Sequence, residues 1–121
     1  DTFRQPESQK LLVRLFLHFA DMSNCMKPFR ICRIWAMKIM EEFFMQGDLE
    51  KKMSIPVQAL NDRDKVNKAF SQVGFIEFLV SPLVFVVIKV MLPMDAYAEQ
   101  MMDNVKQWHQ CWLMETTPKP S

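Results

Sequence analysis

The sequence predicts an all-α fold of about four main helices, and three observations predict it. Apolar residues recur at helical spacing over long stretches, as in Leu12, Leu15, Phe16 and Phe19, and in Ile31, Trp35, Ile39 and Phe43. Prolines punctuate those stretches where helices start, bend or stop, at positions 6, 28, 82 and 93. No repeat, low-complexity tract or linker divides the 121 residues, so residues 1–121 read as a single domain with a modest core.

Each element follows in order. A first helix spans about 7–22, with Pro6 at the start, where a missing N–H costs nothing. A loop, 23–27, follows. Pro28 opens a second helix that continues to about Gln46, and Gly47 weakens or ends it before a charged turn at 48–52. Residues 53–63 form a loop containing Pro56. The third helix begins near Asp64, bends at Pro82 and ends at Pro93. A fourth, about 95–114, carries Met101, Met102, Val105, Trp108 and Trp112. The tail, 115–121, holds two prolines and is expected to fray.

Composition excludes several function classes. With only 2 glycines, Gly47 and Gly74, no Gly-rich phosphate cradle is possible, so a nucleotide would have to be gripped by its base or through a metal on its phosphate. A net charge of +1 gives no nucleic-acid footprint. Cys25, Cys32 and Cys111 lack CxxC spacing and read as reduced thiols, hence a cytoplasmic location. No signal-peptide core precedes the first helix. The 20-residue apolar run 73–92 has the length of a membrane span. It contains Glu77, Ser81, Pro82 and Lys89, and a central charge costs roughly 2.5–3.5 kcal/mol on insertion. A core helix buried on most faces is therefore the expectation, with no membrane contact from this segment.

Within that run, Gln72 and Phe75 lie three residues apart, on one helical face. A buried amide without a partner loses on the order of 1–3 kcal/mol. A planar heteroaromatic ring would satisfy both side chains, edge to the amide and face to the phenyl. A capping or solvated Gln beside a core Phe is the plainer alternative. Asp21 closes the first helix, a turn after His18. It suits a divalent cation, or equally a cap on Ser23 and Asn24. Asn24 alone reads as an Asx turn. Glu41 and Glu42 are adjacent and point different ways, so they read as one buried ion pair and one solvated acid. Arg33 and Lys38 read as structural or solvated.

Taken together, His18-Phe19-Ala20-Asp21-Met22-Ser23-Asn24, the segment from Trp35 to Asp48, and Ser71-Gln72-Val73-Gly74-Phe75-Ile76 resemble the C-terminal half of the class I 3′,5′-cyclic nucleotide phosphodiesterase catalytic domain. The family pattern lies over about residues 11–112 without a gap. The resemblance implies hydrolysis of cyclic AMP, cyclic GMP or both to 5′-nucleotides by two-metal catalysis in signal transduction. Divalent metals are implied as cofactors, zinc with magnesium or manganese. It makes Asp21 a direct metal ligand and Gln72 the purine-selecting amide. Phe75 and Ile39 become the two jaws of a clamp, Asn24 a residue facing the base, and Trp35, Phe43 and Leu60 pocket lining. It makes 62–64 a loop-to-helix anchor.

Departures accompany these. Cys25 replaces a usual Pro, Cys32 a common aromatic, and 54–60 lacks the usual Gly and second Pro. The family's His ligands, second Asp and general-acid His have no counterpart beside His18 and His109, so this chain alone is expected to be inactive. Its implied partners are the cyclic nucleotide, the N-terminal half of the catalytic domain and, in the parent enzyme, a second copy as a homodimer; the parent could be membrane-anchored elsewhere. The rival from another class is a non-catalytic helical module that binds a partner helix in its apolar pocket. Because unpartnered helices are implied, Leu12, Phe16 and Phe19 are expected to be exposed.

Overall fold

The computed structural model describes residues 2–115, so the tail from 116 on lies outside the described residues. Helix α1 spans Pro6–Asp21. The expected loop after it is a 3₁₀ turn, Ser23–Met26. Helix α2 spans Phe29–Lys52, entered from Pro28. A strap, 53–67, contains a second 3₁₀ turn at Ala59–Asn61. Helix α3, Lys68–Phe75, passes through a π-helical turn, Ile76–Val80, into α4, Ser81–Val90. Pro93 lies in a short 3₁₀ turn, Leu92–Met94, before α5, Asp95–Met114.

Three boundaries differ from the sequence reading. Gly47 neither ends nor weakens α2; it is buried, and its missing Cβ leaves room for the carbonyl of Asn61, which a methyl group there would strike. Residues 48–52 are therefore helix rather than turn. The helix ends instead in a Schellman arrangement. Ser54 takes φ 57° and donates its N–H to Lys51 O at 3.1 Å, while Ile55 N–H reaches Glu50 O at 2.9 Å. The third helix starts at Lys68 because Asn67 is its cap, its side chain accepting the Phe70 N–H at 2.8 Å. Where a bend at Pro82 was expected, the helix runs on through a π turn just before it. Proline lacks the N–H that would bond four residues back and its ring crowds that carbonyl, which a widened turn accommodates.

The core lies where α3, the π turn and α4 pack on α5, with α1 and α2 flanking. Phe44, Ile76, Val80, Val84, Val87, Met101 and Trp108 are essentially closed to solvent. Phe19 joins it, edge-on to Tyr97 at 5.8 Å, so the expectation that Phe19 is exposed fails. Leu12 and Phe16 are half-buried, and the open face of α1 carries Leu11, Val13 and Leu17. The expectation of burial on most faces of the apolar helix also fails. Its contacts with α5, α1 and α2 cover part of the surface, while Phe78 is 78% and Leu79 60% exposed. Lys68–Val90 is one continuous helix long and apolar enough to cross a membrane by length and composition.

Candidate functional site

Three elements build a single slot. Helix α2 contributes Ala36, Ile39, Met40 and Phe43, which follow one another at three- and four-residue steps along one face. Helix α3 contributes Ser71, Gln72 and Phe75 by the same spacing. The strap closes one side with Leu60 and Val66, and Asn24 reaches in from the first 3₁₀ turn. The enclosed volume is about 180 Å³ and its walls are overwhelmingly apolar. On the far side of Phe75 lies a wider cavity of about 640 Å³, lined also by Phe70, Phe78 and Leu79; Leu60, Val66, Ser71 and Phe75 face both.

The polar groups in the slot are few. Ser71 is committed elsewhere, its hydroxyl donating to Lys68 O at 2.8 Å. Gln72 is 9% exposed, and its side-chain amide has no hydrogen-bond partner among the described residues. The residue is largely covered but its amide opens on the slot, where it offers a two-point donor–acceptor site. Asn24 is fixed both directly and through its turn: its Oδ1 accepts the Cys25 thiol at 3.4 Å. Fully buried Asn104 on α5 donates to the carbonyls of Cys25 and Lys27, both at 2.8 Å, and pins the turn that carries Asn24. The neighbouring Cys32 thiol and burial push the thiol of Cys25 up, and all three cysteines are free.

The sequence-predicted residues divide accordingly. Ile39, Phe43, Leu60, Gln72, Phe75 and Asn24 are brought together around one slot. Trp35, expected in the lining, is not among the lining residues; it is half-exposed, one turn before Ile39 on α2. Asp21 is exposed at the end of α1 and does not line the slot. Sequence reasoning missed Val66, Met40 and Asn104. For Asn104 a signal existed, since it interrupts the buried stripe Met101, Asn104 and Trp108 at three- and four-residue steps.

Charge is gathered behind the strap rather than in the slot. Arg63 bridges Asp48 and Glu41, and Lys51 bridges Asp62 and Asp64. The expected anchor at 62–64 is thus built of ion pairs to α2. Glu41 is half-exposed, not in the buried pair expected, because its partner Arg63 lies at the surface. Among the described residues no three His, Cys, Asp or Glu side chains gather as a metal site requires. Asp21 supplies one carboxylate, so these residues do not by themselves fit a catalytic metal.

Residues 1–105 match the family model described as 3′5′-cyclic nucleotide phosphodiesterase. The chain is 38% identical over 81 residues to the human high affinity cGMP-specific 3′,5′-cyclic phosphodiesterase 9A, covering 67% of this chain and 14% of that protein. It is 32% identical over 104 residues to the probable 3′,5′-cyclic-AMP phosphodiesterase pde-4 of Caenorhabditis elegans, covering 86% of this chain and 15% of that one. The solved structure of LmjPDEB1 in complex with IBMX superposes with a TM-score of 0.84 at 29% identity, over 92% of this chain and 34% of that chain. The chain therefore spans about one seventh of the length of these two curated relatives.

Proposed function

Because the chain belongs to the 3′,5′-cyclic nucleotide phosphodiesterase family, we propose that it forms the base-binding part of a site that hydrolyses a 3′,5′-cyclic nucleotide. The observation that carries this reading is the unpartnered amide of Gln72 in an apolar slot walled by Ile39 and Phe75. A purine is flat, with π faces and an edge of alternating donors and acceptors. Ile39 and Phe75 would take the two faces, Gln72 the edge, and Phe43 and Leu60 the sides. Asn24 stands where it can meet a polar group at the slot's margin. Asp21 is assigned as one ligand of a metal whose other ligands these residues do not supply, so the segment serves the base rather than the phosphate.

The test uses the isotope-labelled chain and IBMX, the ligand in the solved relative. Titration is expected to move the resonances of Ile39, Gln72 and Phe75. Gln72→Ala is expected to weaken binding roughly tenfold, about 1.4 kcal/mol. Shifts scattered away from the slot, or an unchanged affinity in Gln72→Ala, would overturn the assignment.

A further inference from the structure

One wall of the slot is not part of a helix. Leu60 and Val66 belong to the strap, and Arg63 stands midway between them, three residues from each. Val66 packs against the core, but Leu60 is 62% exposed and has little apolar packing to hold it. The strap's side-chain ties to α2 are chiefly ionic, with one amide bond from Asn61 Nδ2 to Glu50 at 3.5 Å. Arg63 donates Nε and Nη2 to the Asp48 carboxylate at 3.0 and 2.7 Å, and Nη2 also to Glu41 at 3.1 Å. The guanidinium lies 5.4 Å above the ring of buried Phe44. Lys51 donates to Asp62 and Asp64, both at 2.8 Å. Between these two clips the Asn61 carbonyl rests on Gly47, so the strap sits as close to α2 as a backbone can.

We propose that the Arg63 clip sets the width of the slot, and so decides how closely the slot fits a flat ligand. Arg63 is a positioning residue. It acts through Leu60 and Val66, and the guanidinium fork suits the task because it can hold two carboxylates that lie two turns apart on α2 while stacking on Phe44. The consequence for affinity rests on the base-binding reading; the consequence for the geometry of the wall does not.

Three readouts test it on the whole chain. The first is hydrogen exchange at the amides of Lys65 and Val66, which are bonded to Asp62 O at 3.0 Å. The second is the methyl shifts of Leu60 and Val66, which share the slot with the Phe75 ring. The third is IBMX affinity. In Arg63→Ala, exchange is expected to rise about tenfold, the methyl shifts to move toward unstructured values, and IBMX affinity to fall, with the unfolding temperature of the core little changed. Arg63→Lys, with charge but no fork, is expected to fall between. Gly47→Ala, which pushes the strap from the helix side with the clip intact, is expected to move the same methyl resonances. Unchanged exchange and methyl shifts in Arg63→Ala would overturn the proposal, and so would a loosened strap with undiminished IBMX affinity. If the unaltered chain does not bind IBMX, the base-binding reading fails while exchange and methyl shifts still decide the clip. If Arg63→Ala does not fold, a salt titration of the unaltered chain to about 1 M decides, because exposed pairs are screened there. A strap indifferent to salt would then overturn the proposal.

Discussion

Gln72 and Asp21 have separate assignments, and their variants should separate too. Gln72 is buried and unpartnered in the slot; Asp21 is exposed at a helix end outside it. In an enzyme containing this segment, Gln72→Ala is expected to cost roughly 1–3 kcal/mol of purine affinity while bound metal is retained. Asp21→Ala is expected to lower metal content and abolish turnover, with purine affinity less affected. Paired measurements of metal content, turnover and inhibitor affinity check this. A Gln72→Ala enzyme that loses metal beside a fully active Asp21→Ala enzyme would reverse the two roles.

At the scale of elements, Ser54 is the one described non-glycine residue with positive φ, at the close of α2. A side chain in the left-handed region is strained by roughly 1–2 kcal/mol, and glycine removes that strain at some cost in unfolded-state entropy. Ser54→Gly is therefore expected to stabilise the chain by roughly 0.5–1 kcal/mol in denaturant unfolding; a destabilised variant would refute it. Ser54 also shows why some boundaries could not be read in the sequence. A glycine near a helix end ordinarily signals termination, but Gly47 answers to a contact with Asn61, distant in the chain, and no local pattern records that. The fourth helix, by contrast, was legible to its ends, because Pro93 and the apolar spacing of Met101 to Trp112 are local signals. The slot was legible for a similar reason. Ile39, Phe43, Gln72 and Phe75 lie on regular helices whose faces follow from spacing. Val66, in the strap, has no such periodicity, and Trp35 lies outside the slot's lining because repeated four-residue steps drift around the helix. Burial on the 68–90 helix was overestimated because composition counts apolar residues without saying how many neighbouring helices are present to cover them.

Over the whole molecule, the ionic clips make stability depend on acid. Arg63 holds the Asp48 carboxyl below its ordinary value, Lys51 does the same for Asp62, and the Gln46 amide for Glu50. A carboxyl with a lower pKa in the folded state contributes stability in full above the unfolded value, 3.8 for Asp. That contribution is lost as pH falls through the depressed folded values. Strap amides are thus expected to lose exchange protection below about pH 4, after correction for intrinsic rates, before the α5 core does. Simultaneous loss everywhere would contradict this. The uncovered apolar faces carry a second expectation. With Leu11, Leu17, Phe78 and Leu79 each at least 60% exposed, sedimentation velocity should show concentration-dependent association. Sedimentation as a monomer at all concentrations would refute it.

Phe75 is a partition between two rooms. The slot and the wider cavity share its ring, together with Leu60, Val66 and Ser71. Any rotation of that ring which enlarges one volume takes space from the other. Two guests, one on each side, therefore cannot bind independently. Whatever factor the first imposes on the affinity of the second, the second must impose on the first, with no relay through the rest of the fold.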